Sequence, residues 1–248
     1  MKKRIITLCF FLQILSLGTL SAQIGTDAYP GDVLNDFVLV KNEQNLLPFS
    51  NLGSLRLGLM EVADTTSTFS QTLQYYVPVQ KLTFDSDLSH LNVIVLYLAE
   101  NEVGEVGKVL PKWITQLPSD LKKVVVFAGR PTGIPSTADA ILITPSNNGQ
   151  NQSLAAQILF GAFGVNGTLT DAASPFPKGA GIAFNAIDRL QFVPPAWVGV
   201  DEDSLFQKID PIVREGLDSM AFPGATILAA KSGKVFLYKT YGYHTYDS

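Results

Sequence analysis

The chain has 248 residues, of which 46% are hydrophobic and 16% are charged, a composition typical of a globular protein and not of a disordered one. Its formal net charge is −4, and no basic cluster follows the first four residues, so the composition argues against a nucleic-acid-binding function. The length allows one medium domain, or one domain and part of another.

The N-terminal segment Met1–Ala22 has the pattern of a secretory signal peptide. The basic residues Lys2–Arg4 precede the apolar run Ile5–Leu17, and the segment ends in small residues, which predicts cleavage after Ala22 and a periplasmic or secreted protein. The apolar run is shorter than the roughly 20 residues of a membrane span, so we expect no stable membrane anchor. Cleavage also removes Cys9, which is the only cysteine, and with it any thiol, disulfide or cysteine metal site.

The first elements of the mature chain alternate between helix and strand. Apolar spacing in Asp32–Val40 predicts a helix that ends near Asn42. Leu55–Met60 is predicted to be a strand, Thr66–Tyr76 a helix, and Pro78–Phe84 a further strand.

The central stretch repeats the same alternation more clearly. Asn92–Leu98, Lys123–Phe127 and Ala140–Thr144 are short apolar runs without polar alternation, which is typical of strands covered on both faces. Val106–Leu117 and Gln150–Phe160 have helical spacing. The sequence therefore predicts an α/β fold with a five- or six-stranded, mainly parallel sheet and helices on both faces.

Two motifs at the ends of this region resemble a known family. The segment Phe37–Phe49 (FVLVKNEQNLLPF) resembles the opening of the C-terminal α/β domain of glycoside hydrolase family 3, of the β-N-acetylglucosaminidase-like kind. In that family a helix ends in a Leu-Leu-Lys-Asn turn before the first sheet strand. Ala155–Leu169 resembles the helix and Asn-Gly turn that close the same domain, although Thr168 stands where the family usually has arginine. The resemblance covers Asp32–Thr170 and implies an α/β domain over residues 23–170.

The remaining sequence predicts a linker and a small second unit. Residues 171–203 are rich in proline, glycine and alanine, and we interpret them as a linker with short extended pieces against the sheet domain. Leu205–Met220 is predicted to be a helix, with Pro211 in its first turn or at a break. Ala225–Ala230 and Val235–Tyr241 predict a β-hairpin.

This second unit resembles the start of a serine β-lactamase or penicillin-binding-protein-type hydrolase. The resemblance lies in Phe222–Ala225, in the hairpin turn Lys231–Lys234, and in the run Gly242–Asp247. Secreted bacterial proteins that join such a domain to a family 3 glycosidase are known. The resemblance implies that residues 204–248 are the N-terminal fragment of a β-lactamase-type domain and that the chain is truncated.

Neither resemblance supplies a complete catalytic site. The family 3 nucleophile lies on an N-terminal barrel, for which the sequence leaves no room, and no catalytic residue is assigned here. Candidate substrate-binding residues follow the predicted central strands, because open α/β sheets bind ligands at that edge. They are Glu100, Glu102, Arg130 and Asn147. The alternative is that the glutamates are solvated residues before a helix N-terminus.

Other catalytic patterns are isolated. Ser119-Asp120-Leu121-Lys122 fits a Ser-x-x-Lys motif, but it lies between a helix and a strand of the first domain, so we interpret it as a chance match. His90 and His244 lack metal-ligand spacing, and we predict no metal and no cofactor.

Two hypotheses about function remain. The chain is either the exported N-terminal portion of a two-part hydrolase of cell-wall or glycan metabolism, inactive alone, or a self-contained, non-enzymatic carbohydrate- or peptidoglycan-binding module. The first rests on the hairpin, because a two-stranded hairpin is marginal in water and its apolar face has little to pack on. That face comprises Ile227, Ala229, Val235 and Leu237. An enzyme active by itself is a third option, but no paired catalytic set supports it.

Overall fold

The computed structural model describes residues 34–61, 67–99, 113–129, 131 and 137–246. Its strands are β1 (Val38–Asn42), β2 (Leu57–Glu61), β3 (Val79–Lys81), β4 (Val93–Ala99), β5 (Lys122–Ala128), β6 (Ala140–Thr144), β7 (Gln191–Phe192), β8 (Gly224–Lys231) and β9 (Lys234–Gly242). Its longer helices are α1 (Thr68–Gln74), α2 (Gly149–Leu159) and α3 (Glu202–Asp218), with 3₁₀ turns at Glu43–Asn45 and Pro195–Val198. Within these ranges, no helix is long and apolar enough to cross a bilayer.

The first sheet has the strand order β1-β6-β5-β4-β2-β3. The strands from β2 to β6 pair in parallel, and β1 pairs antiparallel with β6 at one edge. Helices α1 and α2 cover one face, and helical residues 113–116 contribute to the other. This six-stranded, mostly parallel sheet confirms the predicted α/β fold class.

Side-chain alternation along the central strands explains why their sequences are apolar throughout. In β4, Val93, Val95 and Tyr97 point into the core beneath α1 and α2. Ile94 and Leu96 point into the core on the opposite face. Because both faces are covered, neither set of alternate positions can be polar without burying an unpaired group.

The predicted helix at Asp32–Val40 is wrong in its second half, since Val38–Asn42 forms strand β1. Residues 32 and 33 lie outside the described part of the chain. Phe37 and Leu39 enter one core, whereas Val38 and Val40 enter the other. An apolar run that is buried on both faces has no polar alternation, and its spacing is therefore compatible with a helix as well as with a strand.

The family 3-like motif around β1 has a structural role in this fold. The side chain of Asn42 donates to the carbonyl oxygen of Leu47 at 2.8 Å and accepts from the Leu47 amide at 2.9 Å, which closes the loop after β1. Gly167 packs so closely on the backbone carbonyls of Asn35 and Phe37 that a Cβ atom would overlap them. Gly161 adopts a positive φ of 75° just beyond α2, a conformation that glycine commonly supplies at the end of a helix.

The second sheet has the order β7-β9-β8, so the predicted hairpin is not isolated. Strand β7, from the predicted linker, pairs in parallel with β9. The tight turn at Ser232 and Gly233, both with positive φ, is the primed type that suits a two-residue hairpin. The expectation that the apolar face has little to pack on is wrong for β9, where Val235 and Leu237 are buried, whereas Ile227 and Ala229 of β8 are half-buried.

Helix α3 packs along the hairpin. Pro211 lies inside the continuous helix, so both predicted positions, in the first turn and at a break, are wrong. Contacts on both sides of the proline hold the two halves of the helix on the sheet. Phe206 lies 4.5 Å from the Lys239 ammonium before the proline, and Leu217 packs beside Gly242 after it. Packing therefore overrides the helix-breaking tendency of an interior proline.

Candidate functional site

The carboxyl ends of β4, β5 and β6 lie side by side at one edge of the first sheet. This is the edge at which the sequence analysis placed the candidate binding residues. Glu100, Glu102 and Arg130 lie outside the described residues, so only Asn147 of that set has a structural context here.

Asn147 is exposed but held in one orientation by hydrogen bonds to its side-chain oxygen. The Tyr97 hydroxyl donates to Asn147 Oδ1 at 2.8 Å, and Gln152 Nε2 donates to the same atom at 2.9 Å. The oxygen of the Gln152 amide in turn accepts from the Phe69 backbone amide at 3.3 Å. Because Oδ1 faces these donors, the amide nitrogen of Asn147 is left without a hydrogen-bond partner among the described residues.

Local sequence explains why the loop after β6 presents Asn147 in this way. Asn148 is the N-cap of α2, and its side chain accepts from the Asn151 backbone amide at 2.8 Å. The Asn151 side chain donates to Ser146 Oγ at 2.9 Å, and the Thr144 hydroxyl donates to the Ser146 carbonyl oxygen at 3.1 Å. The polar run that follows β6 is thus a capped, hydrogen-bonded turn with a fixed shape.

Glu61 and Ser67 add a second polar group to this edge, and sequence reasoning missed both. Glu61 ends β2, and its carboxylate accepts from the hydroxyl of Ser67. Ser67 is the N-cap of α1 and accepts from the Ser70 amide at 2.9 Å. The signal in the sequence was Glu61, an acidic residue that directly follows an apolar strand and so marks the edge at which such sheets bind ligands.

A cavity of about 450 Å³ opens beside the ends of β5 and β6. Gly129 and Thr168 line it together with the carboxylates of Asp36 and Asp171. Thr168, the residue at the family's arginine position, therefore contributes a neutral hydroxyl to an acidic cavity.

The Ser-x-x-Lys pattern at Ser119 and Lys122 does not form a catalytic pair in this fold. Lys122 begins β5, at the edge opposite the candidate site, and its ammonium lies 3.2 Å from Asp139 Oδ1. The other oxygen of Asp139 accepts from the Lys123 backbone amide at 2.8 Å. The carboxylate thus binds the lysine and the strand terminus together, which is a structural role.

The two histidines do not come together either. His90 is exposed and its ring lies against the side-chain amide of Gln80, while His244 is exposed in the segment after β9. Within the described ranges, no group of three His, Cys, Asp or Glu residues is arranged to hold a metal ion.

A charged cluster between α3 and β9 was not predicted. Asp210 accepts from the Tyr241 hydroxyl at 2.6 Å and from the Lys239 ammonium at 2.9 Å. These hydrogen bonds lower the pKa of Asp210, with that of Tyr241 the larger cause. The hydrogen bond to Asp210 raises the pKa of Lys239. Burial, followed by the same carboxylate, raises the pKa of Tyr241. The cluster fastens the helix to the second sheet.

The described part of this edge carries neutral polar groups and carboxylates that can form hydrogen bonds. The oriented amide of Asn147 and the hydroxyls of Thr168 and Ser67 are its neutral polar groups. Carboxylates at Glu61, Asp36 and Asp171 can accept hydrogen bonds from ligand hydroxyls.

Comparison with protein-family models gives no match. Comparison with curated proteins gives none either.

Several solved structures are similar to the chain at low identity. A β-glucosidase from Listeria innocua in complex with isofagomine has 19% identity and a TM-score of 0.42, over 56% of this chain and 25% of that chain. A glycoside hydrolase family 3 β-N-acetylglucosaminidase from Paenibacillus sp. has 14% identity and a TM-score of 0.43, over 62% of this chain and 34% of that one. A fungal multi-domain family 3 β-N-acetylglucosaminidase has 14% identity and a TM-score of 0.43, over 80% of this chain and 26% of that one.

The matched part is thus between a quarter and about a third of each of those proteins. Two of the three carry the name of the family that the Phe37–Phe49 motif resembles. The likeness concerns the fold, and it does not extend the activities of those enzymes to this chain.

Proposed function

We propose that the chain is the exported N-terminal portion of a two-part hydrolase. Its first part is an accessory α/β module of the glycoside hydrolase family 3 type, which binds a glycan or peptidoglycan fragment without cleaving it. Its second part belongs to a β-lactamase-type serine hydrolase. Support comes from the two sequence resemblances, from the pattern of Met1–Ala22, and from the polar groups at the carboxyl edge of the first sheet.

The main observation in support of a binding role is the fixed orientation of the Asn147 side chain. Two donors, Tyr97 and Gln152, hold its oxygen, and the amide nitrogen, which has no partner in the described part of the chain, is oriented at the edge where open α/β sheets bind ligands. A group whose orientation is fixed before binding loses little conformational entropy when a ligand hydroxyl accepts from it.

Titration calorimetry with a muropeptide tests this role. The Asn147→Ala variant removes the presented amide, and we expect about tenfold weaker binding, which corresponds to one well-formed hydrogen bond. Asn51→Ala is the matched control, because Asn51 is an exposed asparagine that precedes β2, toward the opposite edge of the sheet. An absence of heat for the unaltered chain, or equal effects of the two variants, would contradict the proposal.

Exposed apolar side chains in the second unit support the hydrolase part of the proposal. Six described large hydrophobic residues have half or more of their surface exposed, and all but Leu190 lie after α3 begins: Ile212, Met220, Leu228, Tyr243 and Tyr246. Such a concentration is typical of a surface that further polypeptide covers.

The coding sequence beyond codon 248 distinguishes this proposal from the alternative of a self-contained binding module. The two-part hydrolase requires a Ser-x-x-Lys motif soon after the hairpin, at the start of the next helix. A stop codon directly after Ser248, with no such motif downstream, would favour the self-contained module. The three-stranded second sheet, with its buried Val235 and Leu237, is the observation that supports that alternative.

A further inference from the structure

A second cavity, of about 380 Å³, lies between the helical face of the first domain and the second sheet. Its volume falls within the range of roughly 300–1,000 Å³ that small-molecule sites occupy. Helices α1 and α2 form one wall, and β7, β9 and the 3₁₀ turn Pro195–Val198 form the other. It is therefore separate from the carboxyl-edge site around Asn147.

Aromatic side chains from both walls line this cavity. Tyr75 lies tilted against Phe192 with a centroid distance of 4.4 Å and meets Tyr238 edge to face at 5.4 Å. Trp197 lines the same space and is half-buried against the core. Tyr75 and Tyr238 nevertheless keep 41% and 48% of their surface exposed, so their rings are held in place and remain available for contact.

The helical wall also carries polar, uncharged groups. It carries the amides of Gln71 and Gln150 and the hydroxyls of Thr68 and Ser153. None of the described residues that line the cavity is Asp, Glu, Lys, Arg or His. Ser153 is fixed by the buried side chain of Gln157, whose Nε2 donates to its hydroxyl oxygen at 3.1 Å.

The combination of aromatic rings with uncharged polar groups indicates the chemical class of the ligand. Rigid aromatic rings offer apolar area to the C–H faces of a flat, amphipathic molecule at little entropic cost. Amides and hydroxyls both donate and accept, as the hydroxyl groups of a saccharide do. A charged ligand would be desolvated here without a counter-charge, which is unfavourable.

From these observations we infer that the cavity between α1, α2 and the second sheet is a binding site for a neutral oligosaccharide. Tyr75, Tyr238 and Trp197 contact the sugar rings, and Gln71, Gln150 and Ser153 bind their hydroxyl groups. The inference does not depend on the proposed function of the sheet edge, because the two sites share none of these residues.

Trp197 provides a direct readout. The chain has two tryptophans, and the Trp113→Phe variant leaves Trp197 as the only indole. We expect a saturable change in its fluorescence on titration of that variant with cellotetraose or chitotetraose. Tyr75→Ala should weaken binding about tenfold, as loss of an aromatic anchor does. Gln71→Ala removes an exposed helical side chain without disturbing the fold, and it should weaken binding to a smaller degree.

Two control variants test whether the fluorescence response comes from this cavity. Tyr243→Ala removes a tyrosine that is 84% exposed and does not line the cavity, so the affinity should stay unchanged. Asn147→Ala should leave the Trp197 response intact even if it abolishes binding at the sheet edge. The inference is overturned if neither saccharide changes the fluorescence, if Tyr75→Ala and Gln71→Ala bind as the parent does, or if only a proline-rich peptide elicits the response.

Discussion

The side chain of Gln157 is paired with both backbone polar groups of Phe192. Gln157 Nε2 donates to the Phe192 carbonyl oxygen at 2.7 Å, and the Phe192 amide donates to Gln157 Oε1 at 2.7 Å. Gln157 has no exposed surface. The side-chain amide of this buried glutamine on α2 therefore satisfies the backbone N–H and C=O of a β7 residue, as the backbone of a neighbouring strand would. It thereby holds the segment that leads into the second sheet.

Neighbouring residues fix the same segment at further points. The Tyr76 hydroxyl donates to the Leu190 carbonyl oxygen at 2.6 Å, and burial raises the pKa of Tyr76 well above its usual range. Arg189 donates to the carbonyl oxygen of Ser50 at 2.6 Å. Hydrogen bonds of several side chains thus hold the predicted linker against the first domain.

Replacement of Gln157 by leucine should destabilise the protein by about 2–3 kcal/mol, because two polar groups of Phe192 lose their partners next to the core. Chemical denaturation monitored by circular dichroism measures this change. Gln74→Leu is the matched control, since Gln74 is an exposed helical glutamine that bonds only within its own helix, to Ser70. Equal stabilities of the two variants would show that the Gln157 pairing contributes nothing.

The backbone contact at Gly167 predicts a second large effect. A methyl group there would overlap the carbonyl oxygens of Asn35 and Phe37, and neither can move without shifting the start of β1. We expect Gly167→Ala to cost about 2 kcal/mol or more. Gly53→Ala, at a site with ordinary van der Waals space, should change the unfolding free energy by less than about 0.5 kcal/mol. Similar thermal midpoints for both variants would contradict this account of Gly167.

The cluster of Asp210, Lys239 and Tyr241 predicts how stability depends on pH. The pKa of Asp210 is lowered from its ordinary value of 3.8, so its contribution is present above that value and is lost as pH falls through the lower, folded-state pKa. The pKa of Lys239 is raised from 10.5, so its contribution is present below that value and is lost as pH rises through the higher one.

Below about pH 4, the ordinary range of aspartate titration, the denaturation midpoint of Asp210→Asn should therefore decrease less with falling pH than that of the parent protein. Asp85→Asn removes an exposed carboxylate outside this cluster and serves as the control. An acid-side profile of Asp210→Asn identical to that of the parent would show that the cluster is not linked to folding.

The sequence predicted the parts of the fold whose burial is uniform. The predicted bounds of strand β6 match the structure, and those of β4, β5, α1 and α2 agree within two residues, because apolar strands buried on both faces and capped helices have strong local signals. Strand β1 was mistaken for a helix, since Phe37–Val40 is apolar on both faces as well. The antiparallel pairing of β1 with β6 depends on residues about 100 positions apart, which no local pattern reveals.

The candidate site was predicted less completely. Asn147 was chosen as a candidate because it follows a strand of the parallel sheet, but the donors that orient it, Tyr97 and Gln152, come from a core strand and from α2. Both look like ordinary buried or helical residues in the sequence. The cavity beside the second sheet was not predicted at all, because it depends on how β7 and β9 pack against α1 and α2.

The most direct test of a glycan-binding module without its own catalytic centre is a ¹⁵N–¹H nuclear magnetic resonance titration of the chain with a muropeptide. The account predicts saturable shifts of the Asn147, Asn148 and Gly149 amides, while the proton signals of the saccharide stay unchanged over days. Unshifted amides at this edge, or the appearance of signals from a cleaved glycosidic bond, would contradict it.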